Sequence, residues 1–172
     1  MLRGLAGDAL LESYESERRP VATSSVLRSL RRGPQPSAEG IAEDLGIRYG
    51  AAERAPHAWV QLDGGRVSTL DLFDARLTLL TGPNGAAWRQ SAIAMADAGL
   101  PLTALSTGQE LDDPAGALSR AYTLADAGAV LVRPDGYIAR RLPASETPGA
   151  DLLEAVTATL ARSGAAALQR VS

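Results

Sequence analysis

Arg76-Leu77-Thr78-Leu79-Leu80-Thr81-Gly82-Pro83-Asn84-Gly85, running on into Ala86-Ala87-Trp88-Arg89, is the stretch on which the fold turns. Its first six residues are a short apolar run carrying β-branched Thr, the pattern of a buried strand. Gly82-Pro83-Asn84-Gly85 then concentrates turn formers and breaks the run. The spacing predicts a helix from about Ala86 to Ala98, ended by Gly99. Pro101 to Ser106 reads as a second strand, and a strand-helix-strand unit of this length makes a right-handed parallel crossover.

Downstream, a helix is expected from Gly116 to Ala125, followed by a β-branched strand over Ala129 to Arg133. Pro134-Asp135-Gly136 then turns the chain into a strand from Tyr137 to Arg141, because Asp-Gly between apolar runs is a strong hairpin signal. The last helix is expected from Asp151 to about Arg162, with Leu152, Leu153, Val156 and Leu160 on the face that packs on the sheet. Upstream, Leu45 to Ser68 reads as extended segments and loops. Within it Ala58 to Leu62 forms a strand closed by Asp63-Gly64-Gly65, and Thr69 to Phe73 forms one short turn. The order strand, helix, strand, helix, strand, strand, helix, with a parallel crossover first and an antiparallel hairpin last, is that of an α/β thioredoxin-like fold with a mixed sheet.

An N-terminal helical segment precedes this body. From Leu2 to about Arg32 the residues Leu5, Leu10, Leu11 and Tyr14, and later Val26, Leu27 and Leu30, recur at helical spacing, interrupted once by Pro20. Gly33-Pro34-Gln35-Pro36-Ser37 is a linker. The expected division is therefore a helical segment over 1–33 and the thioredoxin-like domain over 34–172.

Composition narrows the function. The 172 residues accommodate one domain with an appendage, and 45% apolar against 22% charged residues is the balance of a chain that buries a core. A net charge of -3 and 4% aromatics exclude a nucleic-acid binder, which needs a basic stripe and stacking platforms. The basic group Arg18, Arg19, Arg28, Arg31 and Arg32 reads as a solvated or docked helix face. All 17 basic residues are Arg, a coding bias and not a mechanism. No apolar run reaches the roughly 18 residues of a membrane span, and no signal pattern opens the chain, so a cytoplasmic location is expected. With no cysteine, disulfides, thiolate metal sites and dithiol redox chemistry are excluded, and the single histidine, His57, rules out a histidine metal cluster.

Five segments carry a resemblance to a known family. They are Leu2 to Ala22, with its Glu17-Arg18-Arg19-Pro20; Arg54-Ala55-Pro56-His57-Ala58-Trp59; Ser68-Thr69-Leu70-Asp71-Leu72-Phe73; Leu77-Thr78-Leu79-Leu80; and Gly128-Ala129-Val130-Leu131-Val132-Arg133-Pro134-Asp135-Gly136. Taken together they resemble the C-terminal part of flavin-dependent aromatic hydroxylases, group A flavin monooxygenases, most of all those acting on aromatic polyketides. The resemblance implies a parent enzyme of three parts, using FAD and NAD(P)H, of which only the third, a thioredoxin-like domain without redox chemistry, is present. Residues 1–33 would be the remnant of the flavin domain's C-terminal helices. The dinucleotide fingerprint Gly-x-Gly-x-x-Gly is missing from this chain. Gly7-Asp8 aligns after the family's flavin motif and is assigned no flavin contact.

No catalytic, cofactor-binding or metal-binding residue is assigned. Gly82-Pro83-Asn84-Gly85 occupies the place where thioredoxins carry Cys-x-x-Cys, but without Lys, Ser or Thr for a phosphate it reads as a simple turn. A cis-Pro expected before the third strand is missing from Ala127-Gly128-Ala129. His57 has no nucleophile at a fixed spacing and reads as structural or exposed. Trp59 and Trp88 are expected as core or interface anchors, each contributing about 2 to 3 kcal/mol where buried. Glu110, Asp112 and Asp113 lack the alternation of a calcium loop and read as a helix-capping loop; Glu12, Glu15 and Glu17 read as a surface helix face. Two functions remain open: a non-catalytic C-terminal hydroxylase domain with a structural or assembly role, or a free-standing thioredoxin-like binding module for an aromatic polyketide or a partner enzyme. Leu5, Leu10, Leu11 and Tyr14 lead to the expectation of a homo-oligomer through the N-terminal helices, or of a flavin domain or hydroxylase covering them.

Overall fold

The computed structural model describes residues 53–160, together with Arg19, Ala22, Thr23 and Val26, all four helical. The predicted helices over 2–32 otherwise lie outside the described residues, as do the linker, the stretch 34–52 and the expected end of the last helix. The elements in chain order are β1 (Glu53–Arg54), β2 (Trp59–Leu62), β3 (Gly65–Ser68), β4 (Leu77–Thr81), α1 (Ala86–Asp97), β5 (Leu102–Ser106), β6 (Leu111–Asp112), α2 (Ala117–Ala121), β7 (Ala129–Val132), β8 (Tyr137–Leu142) and α3 (Pro148–Leu160), with a 3-10 turn over Thr69–Leu72.

A five-stranded mixed sheet in the order β1-β8-β7-β4-β5 forms the centre. β4 pairs parallel with β5, Leu77 opposite Leu102, and antiparallel with β7, which pairs antiparallel with β8 across the Asp135-Gly136 turn. All five residues of β4 are buried, which requires cover on both faces. On one side Leu77 and Leu79 pack with Trp88, Ala92 and Met95 of α1 and with Leu152, Ala155 and Val156 of α3. On the other, Leu80, Val130 and Val132 pack with Val60, Leu111, Leu118 and Tyr122. A second, three-stranded sheet, β3-β2-β6, supplies that second cover. Its hairpin turns through Asp63 (φ 51) and Gly64 (φ 78), the pair of positive φ values that a two-residue I′ turn needs.

The predicted crossover, hairpin and last helix are all present, and two expectations need correction. The helix expected over Gly116 to Ala125 stops at Ala121, because Thr123 takes φ 51 and the Leu124 N–H turns back to the Ser119 carbonyl. The last helix begins at Pro148, ahead of the expected Asp151; proline suits a first turn, where no N–H partner is lost. The short strands β1 and β6 and the separate second sheet have no counterpart in the sequence pattern. Two residues are too few to show alternation.

The β4–α1 loop is held by its backbone. The Gly82 N–H donates to the Gly128 carbonyl (3.0 Å), Asn84 N–H to the Asp126 carbonyl (2.8 Å), and Gly85 N–H to the Gly82 carbonyl (2.9 Å). Trp88, only 2% exposed, adds its indole N–H to the Ala127 carbonyl at 3.1 Å. A Cβ on Gly82 would lie 2.3 Å from the Ala125 and Asp126 carbonyl oxygens. Gly82→Ala is therefore expected to lower stability by about 2 to 3 kcal/mol, the cost of forcing backbone apart in a packed site. Urea denaturation followed by circular dichroism checks this, and an unchanged midpoint would refute the clasp.

Candidate functional site

Four places answer to the residues singled out in the sequence. The first is the loop Gly82–Gly85 at the N-terminus of α1. Its Gly82, Asn84 and Gly85 N–H groups are already donated to protein carbonyls, so these three are not available to a phosphate.

The second is the acidic run, which the fold scatters. Glu110 accepts from Arg89 of α1, through Nε at 3.1 Å and through Nη2, and from the Ser106 N–H at 3.0 Å. Asp113 caps α2, accepting from the Leu118 N–H (3.2 Å), the Ser119 N–H (3.0 Å) and the Ser119 hydroxyl (3.0 Å). The capping expectation holds for Asp113. Asp112 stands exposed on β6, and no cluster of three metal-ligating side chains forms among the described residues. Burial on its own would raise the Glu110 pKa, but the Arg89 and Ser106 hydrogen bonds outweigh it and hold the carboxyl below its ordinary value of 4.5.

The third is the Arg54-Ala55-Pro56-His57-Ala58-Trp59 segment, whose backbone is tied inward. The Pro56 carbonyl accepts from the Tyr122 hydroxyl (2.8 Å) and from the Thr69 hydroxyl (2.9 Å). Thr69 Oγ1 in turn accepts the Ala58 N–H at 2.9 Å, and the Thr69 N–H donates to the Ala58 carbonyl at 2.9 Å. Tyr122 and Thr69 are fully buried. Burial pushes the Tyr122 phenol up to about 12, with the Thr69 hydroxyl opposing it. Sequence reasoning missed both residues, since an isolated Tyr and an isolated Thr carry no spacing signal.

The fourth is what the same segment turns outward. His57 is exposed, with Nδ1 2.8 Å from Ser68 Oγ and its ring edge-on to Trp59 at 4.9 Å. That Ser68 hydroxyl also caps the Thr69–Leu72 turn, accepting the Leu70 N–H at 3.2 Å, so the pair reads as a turn cap. Trp59 is 49% exposed, which removes the core alternative of the two expected for it and leaves the interface one; the inner face of β2 is filled by Val60. The Arg66 guanidinium lies over the Trp59 ring, 4.3 Å from its centroid, a cation–π arrangement. Trp59, Gln61, Arg66, Asp112 and Pro114 line a shallow depression of about 110 Å³. Pockets for drug-sized ligands run from about 300 Å³ upward, so it does not enclose a polycyclic aromatic.

Such a molecule is a thioredoxin-like α/β domain whose β4–α1 loop is hydrogen-bonded to its own backbone. It belongs to the aromatic-ring hydroxylase C-terminal family, which residues 50–163 match. It is 35% identical over 191 residues to aklavinone 12-hydroxylase RdmE of Streptomyces purpurascens, covering 91% of this chain and 36% of that protein. It is also 35% identical over 205 residues to 4-methyl-5-nitrocatechol 5-monooxygenase of a Burkholderia species, covering 94% of this chain and 37% of the relative. The fold superposes on aklavinone-11 hydroxylase, solved with FAD and aklavinone, with a TM-score of 0.79 at 34% identity, over 94% of this chain and 37% of that one. The flavin-dependent monooxygenase PieE, solved with FAD and substrate, gives 0.74 at 27% identity, over 94% and 42%. The chain thus corresponds to the C-terminal domain of flavin-dependent aromatic hydroxylases and spans little more than a third of the curated relatives it matches first.

Two outcomes test the polar contacts. Glu110→Gln should destabilise the fold at neutral pH by about 1 kcal/mol, the scale of a partly exposed ion pair with an added backbone bond. A depressed carboxylate contributes stability above its unfolded pKa and loses it as pH falls through the folded one. The gap between variant and wild type should therefore close as pH drops below the ordinary value of 4.5; a gap constant from about pH 7 to about pH 3 would contradict the pairing. Tyr122→Phe should cost about 1 kcal/mol at neutral pH for the lost hydrogen bond. A raised phenol keeps its contribution below the ordinary value of 10.0 and loses it as pH climbs toward about 12. Denaturation midpoints across that alkaline range should fall more steeply for wild type than for Tyr122→Phe.

Proposed function

We propose that this chain is a non-catalytic domain with a structural or assembly role in a flavin-dependent aromatic polyketide hydroxylase, and that it carries out no redox reaction by itself. One observation carries this reading: the N–H groups of Gly82, Asn84 and Gly85 in the β4–α1 loop, where thioredoxins carry their dithiol, are spent on the Gly128, Asp126 and Gly82 carbonyls. A chain without cysteine has no dithiol to place there. FAD and NAD(P)H would be held by the remaining part of a full-length hydroxylase, and residues 1–33 would be the last helices of its flavin domain. Their apolar positions Leu5, Leu10, Leu11 and Tyr14 would then pack on a flavin domain, or on a second copy of this chain. Among the described residues no helix is long and apolar enough to cross a membrane. The compartment proposed for the domain is the cytoplasm, where such a hydroxylase would meet its NAD(P)H.

The test is spectroscopic. The purified chain, incubated with FAD and passed through gel filtration, should emerge colourless and should not oxidise NADPH above a buffer blank. A flavin band that survives filtration, or NADPH-driven turnover, would overturn the reading.

A further inference from the structure

The outer face of the three-stranded sheet has a charge pattern that fits its own copy. Gln61 on the central strand lies opposite Arg66 of β3 on one side and opposite Asp112 of β6 on the other. All three are exposed. Cation, amide and carboxylate therefore form one row across the strands, with Trp59 two residues along from Gln61 on the same face. Among the described residues neither Arg66 nor Asp112 makes an ion pair, and the Arg66 guanidinium rests on the Trp59 ring. A guanidinium stacked on an indole keeps its in-plane N–H donors free for a carboxylate.

We propose that this face is a self-association surface, which joins two copies of the chain around a two-fold axis running along the strands above Gln61. That axis reverses the row, so Arg66 of each copy meets Asp112 of the other, and the two Trp59 rings come face to face at the centre. An isologous contact needs a self-complementary patch, and this row supplies one. The aromatic centre with a charged rim matches the anatomy of protein interfaces. The face is small, so the dimer is weak and concentration-dependent. The inference rests on the assembly role proposed above and goes further by naming the face and its contacts.

Charge reversal tests it. Sedimentation velocity of the full chain over a rising concentration series should show reversible dimers, weakened by salt, and a blue shift of tryptophan emission as Trp59 is covered. Arg66→Asp and Asp112→Arg should each weaken association at least about tenfold, as opposing like charges do. An equimolar mixture of the two variants should regain it. In the mixed pair the introduced aspartate of one chain faces the introduced arginine of the other, and the unaltered Arg66 and Asp112 still face each other. Circular dichroism of each variant should match wild type, since both positions are exposed. A chain that stays monomeric at every concentration, dimers indifferent to both reversals, or a mixture no better than either variant would overturn the proposal. The last two results would move association to residues 1–33 and leave the non-catalytic reading, tested by the flavin band, untouched.

Discussion

The domain hangs on a backbone contact between two loops that leaves no room for a side chain. Gly82 and Gly85 let the β4–α1 loop close on residues 125–128, and a Cβ at Gly85 would meet Thr81 Cβ at 2.9 Å. Because β4 is paired on both edges, to β5 on one and to β7 on the other, the position of this loop sets where α1 starts and hence where Trp88 enters the core. The same closure bears on the proposed absence of chemistry. Free N–H groups near a helix start are what an anion site uses, and those of Gly82, Asn84 and Gly85, just ahead of α1, are given to protein carbonyls. Arg89 and Glu110 then tie the first turn of α1 to the loop after β5, so the end of the sheet is a seam.

A second constraint joins the two cores' surroundings. The Pro56 carbonyl collects the hydroxyls of Thr69 and Tyr122, drawing together residues from before β2, after β3 and after α2. Buried polar groups of this kind cost stability when unpaired and specify geometry when paired. Arg141 of β8 reinforces the arrangement from outside, donating through Nη1 to the Tyr122 carbonyl and through Nη2 to Glu53 at 2.8 Å. Tyr122 reaches Pro56 from the C-cap of α2, its N–H still bonded to the Leu118 carbonyl, and Thr123 then takes the left-handed conformation that turns the chain.

What could be read from the amino acids depended on length and punctuation. The β4-α1-β5 unit, the β7-β8 hairpin and the last helix were legible because each has an apolar period long enough to recognise and a Gly or Pro at its edge. The premature end of α2 was not, since Leu118, Tyr122 and Leu124 continue an apolar pattern while the left-handed turn at Thr123 overrides it. Pro148 at the start of α3 was legible in principle as a first-turn proline. Trp59 was left open between core and interface for a different reason: only the pairing of β2 with β3 and β6 decides which face it takes. Arg66, which determines the character of that face, carried no sequence signal because its significance lies in cross-strand neighbours.

The two surfaces of the small sheet show how its residues divide their work. Val60, Leu111 and the partly buried Leu62 and Val67 complete the inner core, so stability makes no claim on Trp59. An indole left 49% exposed forgoes most of the roughly 2 to 3 kcal/mol that burial would return. Arg66 recovers a part by stacking, on the scale of about 0.5 to 1 kcal/mol for an exposed cation–π pair. Folding alone would be served as well by a threonine or a lysine at position 59. An aromatic there, held between a cation and the edge of His57, is better matched to a surface that is covered in use. The domain thus separates its ends: the loops at the end of β4 are closed by backbone hydrogen bonds, and the outer face of β2 carries the exposed Trp59–Arg66 pair on which the proposed self-association rests.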